Sequence, residues 1–423
     1  MIAIVRRSAA VVTFVAMLTL SFSAPQRQHL ERFTDLILVA PRRKTLAELA
    51  KLELDGVDAS NLADFLRISP WDPDDLRLPL LAFILHDLKA RVKDHSLPIY
   101  LTLDDSLATK DKGTRKLQSV DWHFDHNRHQ TVRGGVHVVL RIHWGDFHYP
   151  LLWRLYLRAA TVKRLNKRRK SHNKLRYVSK LDLAQQMLEQ IVSLLPEKTP
   201  VYVLFDSWYT SAKLVRWIRQ NCGWHVIAGI KSNRNVSKKK LTAWHHELKG
   251  RRYTKVWLRL ADGRKRTYWV RSIQGRLRGV PGEVRVLLSQ TGPGAKAPKY
   301  FLSTDLTLSA QEILSRYQHR WRQEVDYWHV KLQLGLGDFR VQSYEAIAKW
   351  YAVVYLVLTY LYWECYEHQR ILKRTTSLSE VMTRIRQDHQ EEVLRAACKE
   401  VANGATVDAV VKRYLGAESS QAA

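Results

Sequence analysis

The run Val201-Tyr202-Val203-Leu204-Phe205 constrains the fold more than any other segment of the chain. A strand that reads apolar at every position is buried on both faces, and such strands belong to sheets covered by helices on both sides. The run ends at Asp206-Ser207-Trp208-Tyr209, and an amphipathic helix follows to about Gln220. Trp224 to Ile230 then gives a second buried strand. This alternation predicts an α/β fold. It also puts the Asp206 carboxylate at the carboxyl edge of the sheet, where open α/β sheets bind their ligands. An Asp closing a strand is more often structural than not, so position alone assigns it no chemistry.

The flanking segments extend the same reading. Leu97 to Leu103 is a β-rich run ending in Asp104-Asp105-Ser106, and Gly134–Trp144 and Phe147–Leu157 read as strands about a Gly145-Asp146 hairpin turn. Between Ser106 and Gly134, His123, His126 and His129 stand in what reads as a solvated polar loop rather than a metal site. Residues 163–176 read as a basic loop before a helix at Lys180–Leu195, suited to phosphate contact. After a basic loop at Ser237–Lys240, short strands are expected at Tyr253–Leu260, Thr267–Ser272, Glu283–Gln290 and Lys299–Ser303. Asp262-Gly263 forms a turn between the first two, and Gly292-Pro293-Gly294 a loop before the last.

Both ends of the chain read as helical. Residues 8–24, between Arg6-Arg7 and Gln26-Arg27, look like a signal-peptide core, but Pro25 follows the candidate cleavage site at Ala24. A packed N-terminal helix or a misplaced start is preferred over an export segment. Thr45-Leu46-Ala47-Glu48 spells a capping box, Ser60 or Asn61 caps a second helix, and Asp74-Asp75 opens a third. Residues 1–90 thus form a helical region that is a candidate DNA reader. Tyr344–Tyr366 is apolar enough to resemble a membrane segment, yet Lys349 and several tyrosines mark it as a buried core helix. Ser377-Leu378-Ser379-Glu380 caps a helical C-terminal region, 341–423.

Charge narrows the partner. Of 423 residues, 69 are Lys or Arg against 40 Asp or Glu, a formal net charge of +29. That excess points to a polyanion. Three scattered cysteines exclude a disulfide scaffold and argue against a cysteine zinc site.

The segment from Thr307 to Phe339 supplies the chemistry. On an ideal helix counted from Tyr317, Arg320 falls at about 300°, Glu324 at about 340° and Lys331 at about 320°. One face therefore carries a carboxylate, two cations and a tyrosine. Arg320–Glu324 alone is an ordinary i,i+4 pair; the longer stripe is not accounted for that way. Cleaving a phosphodiester in line suits two divalent ions about 3.5–4 Å apart. Magnesium prefers carboxylates, water and phosphate oxygens as ligands. Asp104, Asp206 and Glu324 offer such acids from distant segments, with Arg320 and Lys331 as cations for phosphate.

Tyr317, Arg320, Glu324 and Lys331 reproduce, at every spacing, a signature of the DDE transposases of bacterial insertion sequences, specifically the insertion-sequence-4 and allied groups. Tyr300–Asp305 upstream and Leu334-Gly335-Leu336 downstream resemble the same family. Asp206-Ser207-Trp208-Tyr209 resembles its second catalytic segment, and Asp104-Asp105-Ser106 its weaker first one, with Asp105 as the alternative first acid. The resemblance spans roughly residues 95–350. It implies an RNase H-like mixed sheet with flanking helices, a catalytic domain at 91–340 and a β-rich insertion at about 232–304.

The same resemblance implies Asp104, Asp206 and Glu324 as catalytic metal ligands for two Mg2+ (or Mn2+) ions. Tyr317, Arg320 and Lys331 would hold DNA phosphates, and Trp257, Tyr268 or Trp269 would stack on a flipped base. The implied function is binding of terminal inverted repeats, end cleavage and strand transfer by a cytoplasmic bacterial enzyme. Its partners would be double-stranded DNA and a second copy in a homodimer, with no small-molecule substrate and no membrane. The alternative is an inactive DNA-binding relic of such a transposase.

Overall fold

A computed structural model describes residues 4, 7–53, 59–125, 128–249, 251–260, 263–292, 295 and 297–415. Five helices lead: α1 (Ala9–Met17), α2 (Ala24–Val39), α3 (Leu46–Ala50), α4 (Ala59–Arg67) and α5 (Pro73–Arg91). α2 and α5 begin with reciprocal capping boxes, Ser23 with Gln26 and Asp72 with Asp75. The Thr45 box is one-sided: its hydroxyl accepts the Glu48 amide, and the helix it opens is short. Ser60 and Asn61 lie inside α4, not at its cap, because the helix already includes Ala59.

Residues 8–24 are not one continuous helix: α1 ends at Met17 and α2 begins at Ala24. α1 buries Val11, Phe14 and Val15, and Phe14 packs edge-on against Tyr360 at 5.4 Å.

The central block contains β1 (Ile99–Thr109), β2 (Asp121–Asp125), β3 (Gln130–Trp144), β4 (Phe147–Tyr156), α6 (Ala159–Asn166), α7 (Lys180–Ile191), β5 (Val201–Phe205), α8 (Ala212–Trp217) and β6 (His225–Gly229). β4, β3, β1, β5 and β6 lie side by side, with β1, β5 and β6 parallel and β3 antiparallel to both neighbours. This is the mixed sheet expected of an RNase H-like fold. β5 is buried at every residue, as its composition demands.

Two loop expectations are corrected. His123 sits in β2, paired with Val132, because the alternating residues 121–125 find a partner in the long start of β3. His126 lies outside the described residues. Residues 163–166 are the end of α6, since Val162 and Leu165 give that basic stretch one apolar face.

Beyond β6 come β7 (Asn235–Val236), β8 (Lys239–Lys240), α9 (Leu241–Glu247), β9 (Thr254–Arg259), β10 (Lys265–Gly275), β11 (Val284–Gln290) and β12 (Lys299–Ser303). Ser237 and Lys238 take positive φ and close β7–β8 as a tight hairpin, and α9 was not anticipated. β12 pairs with β6, and β11, β10 and β9 follow, so these strands extend the central sheet. Asp262 and the Pro293-Gly294 loop lie outside the described residues.

α10 (Ala310–Tyr317), a tighter turn at Gln318–Arg320, α11 (Trp321–Trp328) and a wider turn at His329–Gln333 then cross the sheet. α12 (Tyr344–Leu372), α13 (Leu378–Ala402) and α14 (Val407–Leu415) complete the chain. α12 is the one described helix long and apolar enough to cross a membrane, and 89% of its apolar window is buried within the protein. α2, α4, α5 and α13 all pack on it, and one hydrophobic core runs from Val11 to Met382.

Candidate active site

β1 and β5 pair in parallel up to Leu103 and Phe205. Asp104 and Asp206 are the next residue on each, on strands that lie ~4.8 Å apart. Asp206 closes its strand with a turn: one carboxylate oxygen accepts the amides of Trp208 at 2.9 Å and Tyr209 at 3.3 Å. Gly229, ending β6, lets that turn come close. A Cβ there would stand 3.1 Å from the Ser207 amide and 3.4 Å from the Tyr317 hydroxyl.

The two acids of β1 part company. Asp104 faces the α10–α11 side of the sheet, where Arg320 meets it at 3.2 Å. Asp105 is engaged by Lys180 of α7 at 2.6 Å and accepts the Tyr209 hydroxyl at 3.0 Å. Burial pushes the Asp104 carboxyl up to about 7; Arg320 opposes the rise, while Asp105 and Asp206 add to it. Arg320 reaches Glu324 with its other terminal nitrogen at 2.7 Å, so a single guanidinium joins Asp104 to Glu324.

The four-residue stripe does not ride on one ideal helix. The tighter turn falls between Tyr317 and Trp321, and the wider one contains Lys331. Local tightening and widening replace uniform 100° steps, and it is Arg320 that reaches both Asp104 and Glu324. Tyr317 packs on Phe301 at 4.9 Å and feels the charges of Arg320, Asp206 and Asp104. Burial lowers the Lys331 ammonium, while Asp125 and Asp104 are among the charges that sustain it. Among the described residues, no three Asp, Glu, His or Cys side chains stand close enough to cage a metal ion.

The helix carrying Glu324 is fixed from beneath by residues the sequence reading passed over. Gln323 donates to the Val139 carbonyl at 3.0 Å. Asp326 is buried against Arg141 of β3 at 3.0 Å and accepts the Tyr362 hydroxyl of α12. Gln323, Asp326, Tyr327 and Val330 are the buried stripe of this segment. Their i, i+3, i+4, i+7 spacing is that of a helix's buried face, but the polar residues Gln323 and Asp326 conceal it in the sequence.

Of the stacking candidates, Trp257 is 56% exposed, while Tyr268 and Trp269 are half-buried on β10. A groove of about 980 Å3 beside Asp206 and Tyr317 is bordered instead by Tyr253, Tyr300, Phe301 and His245.

Residues 17–278 match the family model described as DDE superfamily endonuclease. The match covers β1 and β5 with their acids and ends before α10. The chain is also 28% identical over 333 residues to a probable transposase for insertion sequence element IS701 from Microchaete diplosiphon, covering 77% of this chain and 79% of the relative. The chain belongs to the DDE superfamily endonucleases, as the resemblance of its motifs to insertion-sequence DDE transposases implies.

Proposed function

We propose that the protein is a DNA transposase that binds the terminal inverted repeats of an insertion sequence and performs cut-and-paste end cleavage and strand transfer. The observation that carries this reading is the placement of Asp104 and Asp206 at adjoining strand ends, with Arg320 tying Asp104 to Glu324. The name of the relative, a probable transposase for an insertion sequence element, points the same way. In this reading residues 91–340 form the catalytic domain, with the β-rich insertion at about 232–304. Residues 1–90 contribute to DNA binding, and 341–423 form the C-terminal helical region. A homodimer acting on DNA in the bacterial cytoplasm is part of the same proposal.

The donor set fits a hard divalent cation. Asp104, Asp206 and Glu324 offer oxygen ligands only, the chemistry a hard cation prefers; burial first, and then Asp105 and Asp206, raise the Asp104 carboxyl, so a bound cation there would favour its charged form. Two Mg2+ or Mn2+ ions held by these acids would supply Lewis-acid activation of water and then of a 3′-hydroxyl. The chain's own residues do the rest. Arg320 presents a two-pronged donor suited to a phosphate once its acids are otherwise occupied. Tyr317 supplies a hydroxyl at the edge of Asp206, Lys331 a second cation, and exposed Trp257 a surface for an unstacked base.

The test is magnesium-dependent nicking of the element's terminal repeats. Glu324→Gln is expected to abolish nicking and leave DNA retention nearly intact; parallel loss of both would remove Glu324 from the metal site. The rival reading is an inactive DNA-binding relic of such a transposase. The relic would retain DNA without nicking it at any magnesium or manganese concentration.

A further inference from the structure

A second cationic cavity, of about 440 Å3, opens where β1 leaves the sheet. Four separate stretches build it: Arg43 before α3, Lys110 and Lys112 after β1, Arg128 and Arg133 at the start of β3, and Arg340 after the wide turn of the catalytic segment. Its acids are Asp111 and Asp338, and Asp338 is committed to the Lys44 amide at 2.8 Å. Among the described residues, no carboxylate stands within ion-pair distance of Arg43, Lys112, Arg133 or Arg340. The Arg133 Nε is buried there without a hydrogen-bond partner.

Like charges gathered this way repel one another. Burial lowers the Lys110 ammonium to about 8, with Arg340 adding to the fall and Asp338 and Asp111 opposing it. The cavity lies at the far end of the strand that carries Asp104, since Thr109 closes β1 and lines it.

We propose that this cavity is a second DNA-backbone site, gripping the arm of the duplex that runs from the cut toward Lys110. The inference rests on the DNA-cleaving reading above. From Asp104 to Lys110 the chain advances six residues along β1, which is about 20 Å. Duplex phosphates advance ~3.4 Å per nucleotide along one strand. The grip therefore begins about six base pairs from the scissile phosphate.

The test uses the full chain with magnesium omitted and two series of terminal-repeat duplexes, each lengthened on one side of the nick only. The variant carries Lys112→Ala and Arg340→Ala, both on exposed side chains, so folding is checked simply by an unchanged Tm. With two phosphate contacts removed, the slope of log affinity on log salt should fall by about 1.8. Between 50 and 200 mM salt that is roughly a tenfold difference in the affinity change. The effect is expected in one series, once its arm exceeds about six base pairs, and to be much smaller on shorter arms. Equal slopes for variant and wild type at every length would overturn the inference, as would a loss indifferent to arm length. Failure of the wild-type chain to bind any of these duplexes would instead sink the DNA-cleaving reading itself.

Discussion

Arg320 is the residue on which the candidate site turns, because its two terminal nitrogens hold acids from two different elements. A lysine keeps the charge but replaces the planar, oriented fork by a compact ammonium on a flexible stem, which does not reproduce the two-pronged geometry. Arg320→Lys is therefore expected to slow single-turnover nicking on the order of 10²-fold, the scale of losing one oriented donor, while Tm changes little. A rate equal to wild type would show that charge alone, not the fork, matters. Gly229 sets a second local condition. Its missing side chain leaves room for the Asp206 turn and the Tyr317 hydroxyl. Gly229→Ala should reduce nicking several-fold more than it reduces affinity for end DNA, since it displaces the turn without touching the basic surface. Equal losses in both would mean that the turn has no part in the chemistry.

At the scale of elements, the broken segment from α10 to the wide turn is held in place by the buried Arg141–Asp326–Tyr362 group. Removing one member of a buried ion pair leaves the other charge uncompensated, at a cost of about 3–5 kcal/mol. Asp326→Asn should accordingly lower Tm by several degrees and cut nicking at temperatures where the protein is still folded. Normal nicking at such temperatures would mean that Glu324 is positioned without this anchor. Asp326 also illustrates what the sequence could and could not disclose. β5 was legible because a strand buried on both faces has to be apolar throughout. The stripe of Tyr317, Arg320, Glu324 and Lys331 was legible because spacing survives local changes of helical pitch. The buried stripe beneath it was not, because an aspartate reads as surface until its arginine, 185 positions earlier in the chain, is known to face it. β2 and α9 were missed for a related reason. Each is short and has little propensity of its own: β2 forms only as the local partner of the start of β3, and α9 as a turn packed back on Val236 just before it.

At the scale of the whole molecule, the N-terminal helices and α12 share one core, so events in the first forty residues bear on the stability of everything packed on α12. Asp35 of α2 sits in that core. One of its oxygens accepts the Ser8 amide at 3.0 Å. Burial raises its carboxyl to about 7; the Ser8 amide and Arg7 oppose the rise, and Glu31 and Glu53 add to it. The hydroxyl of Tyr360 on α12 faces the same group and feels its charge. An unfolded chain ionises this aspartate near 3.8, so between about 4 and 7 the folded state holds a proton that the unfolded state has released. Stability therefore falls as pH rises through that window and levels off above it. A shift of this size corresponds to at most about 4 kcal/mol. Asparagine keeps an oxygen for the Ser8 amide and never ionises. Asp35→Asn should thus leave Tm nearly unchanged at pH 4 and raise it by several degrees at pH 8, as read by calorimetry in the same buffers. If the gain were the same at both pH values, the buried charge would not be the cause. If Tm fell at pH 8, the ionised carboxylate would be stabilising the N-terminal layer, and the shared core would owe its cohesion to Arg7 more than to exclusion of water.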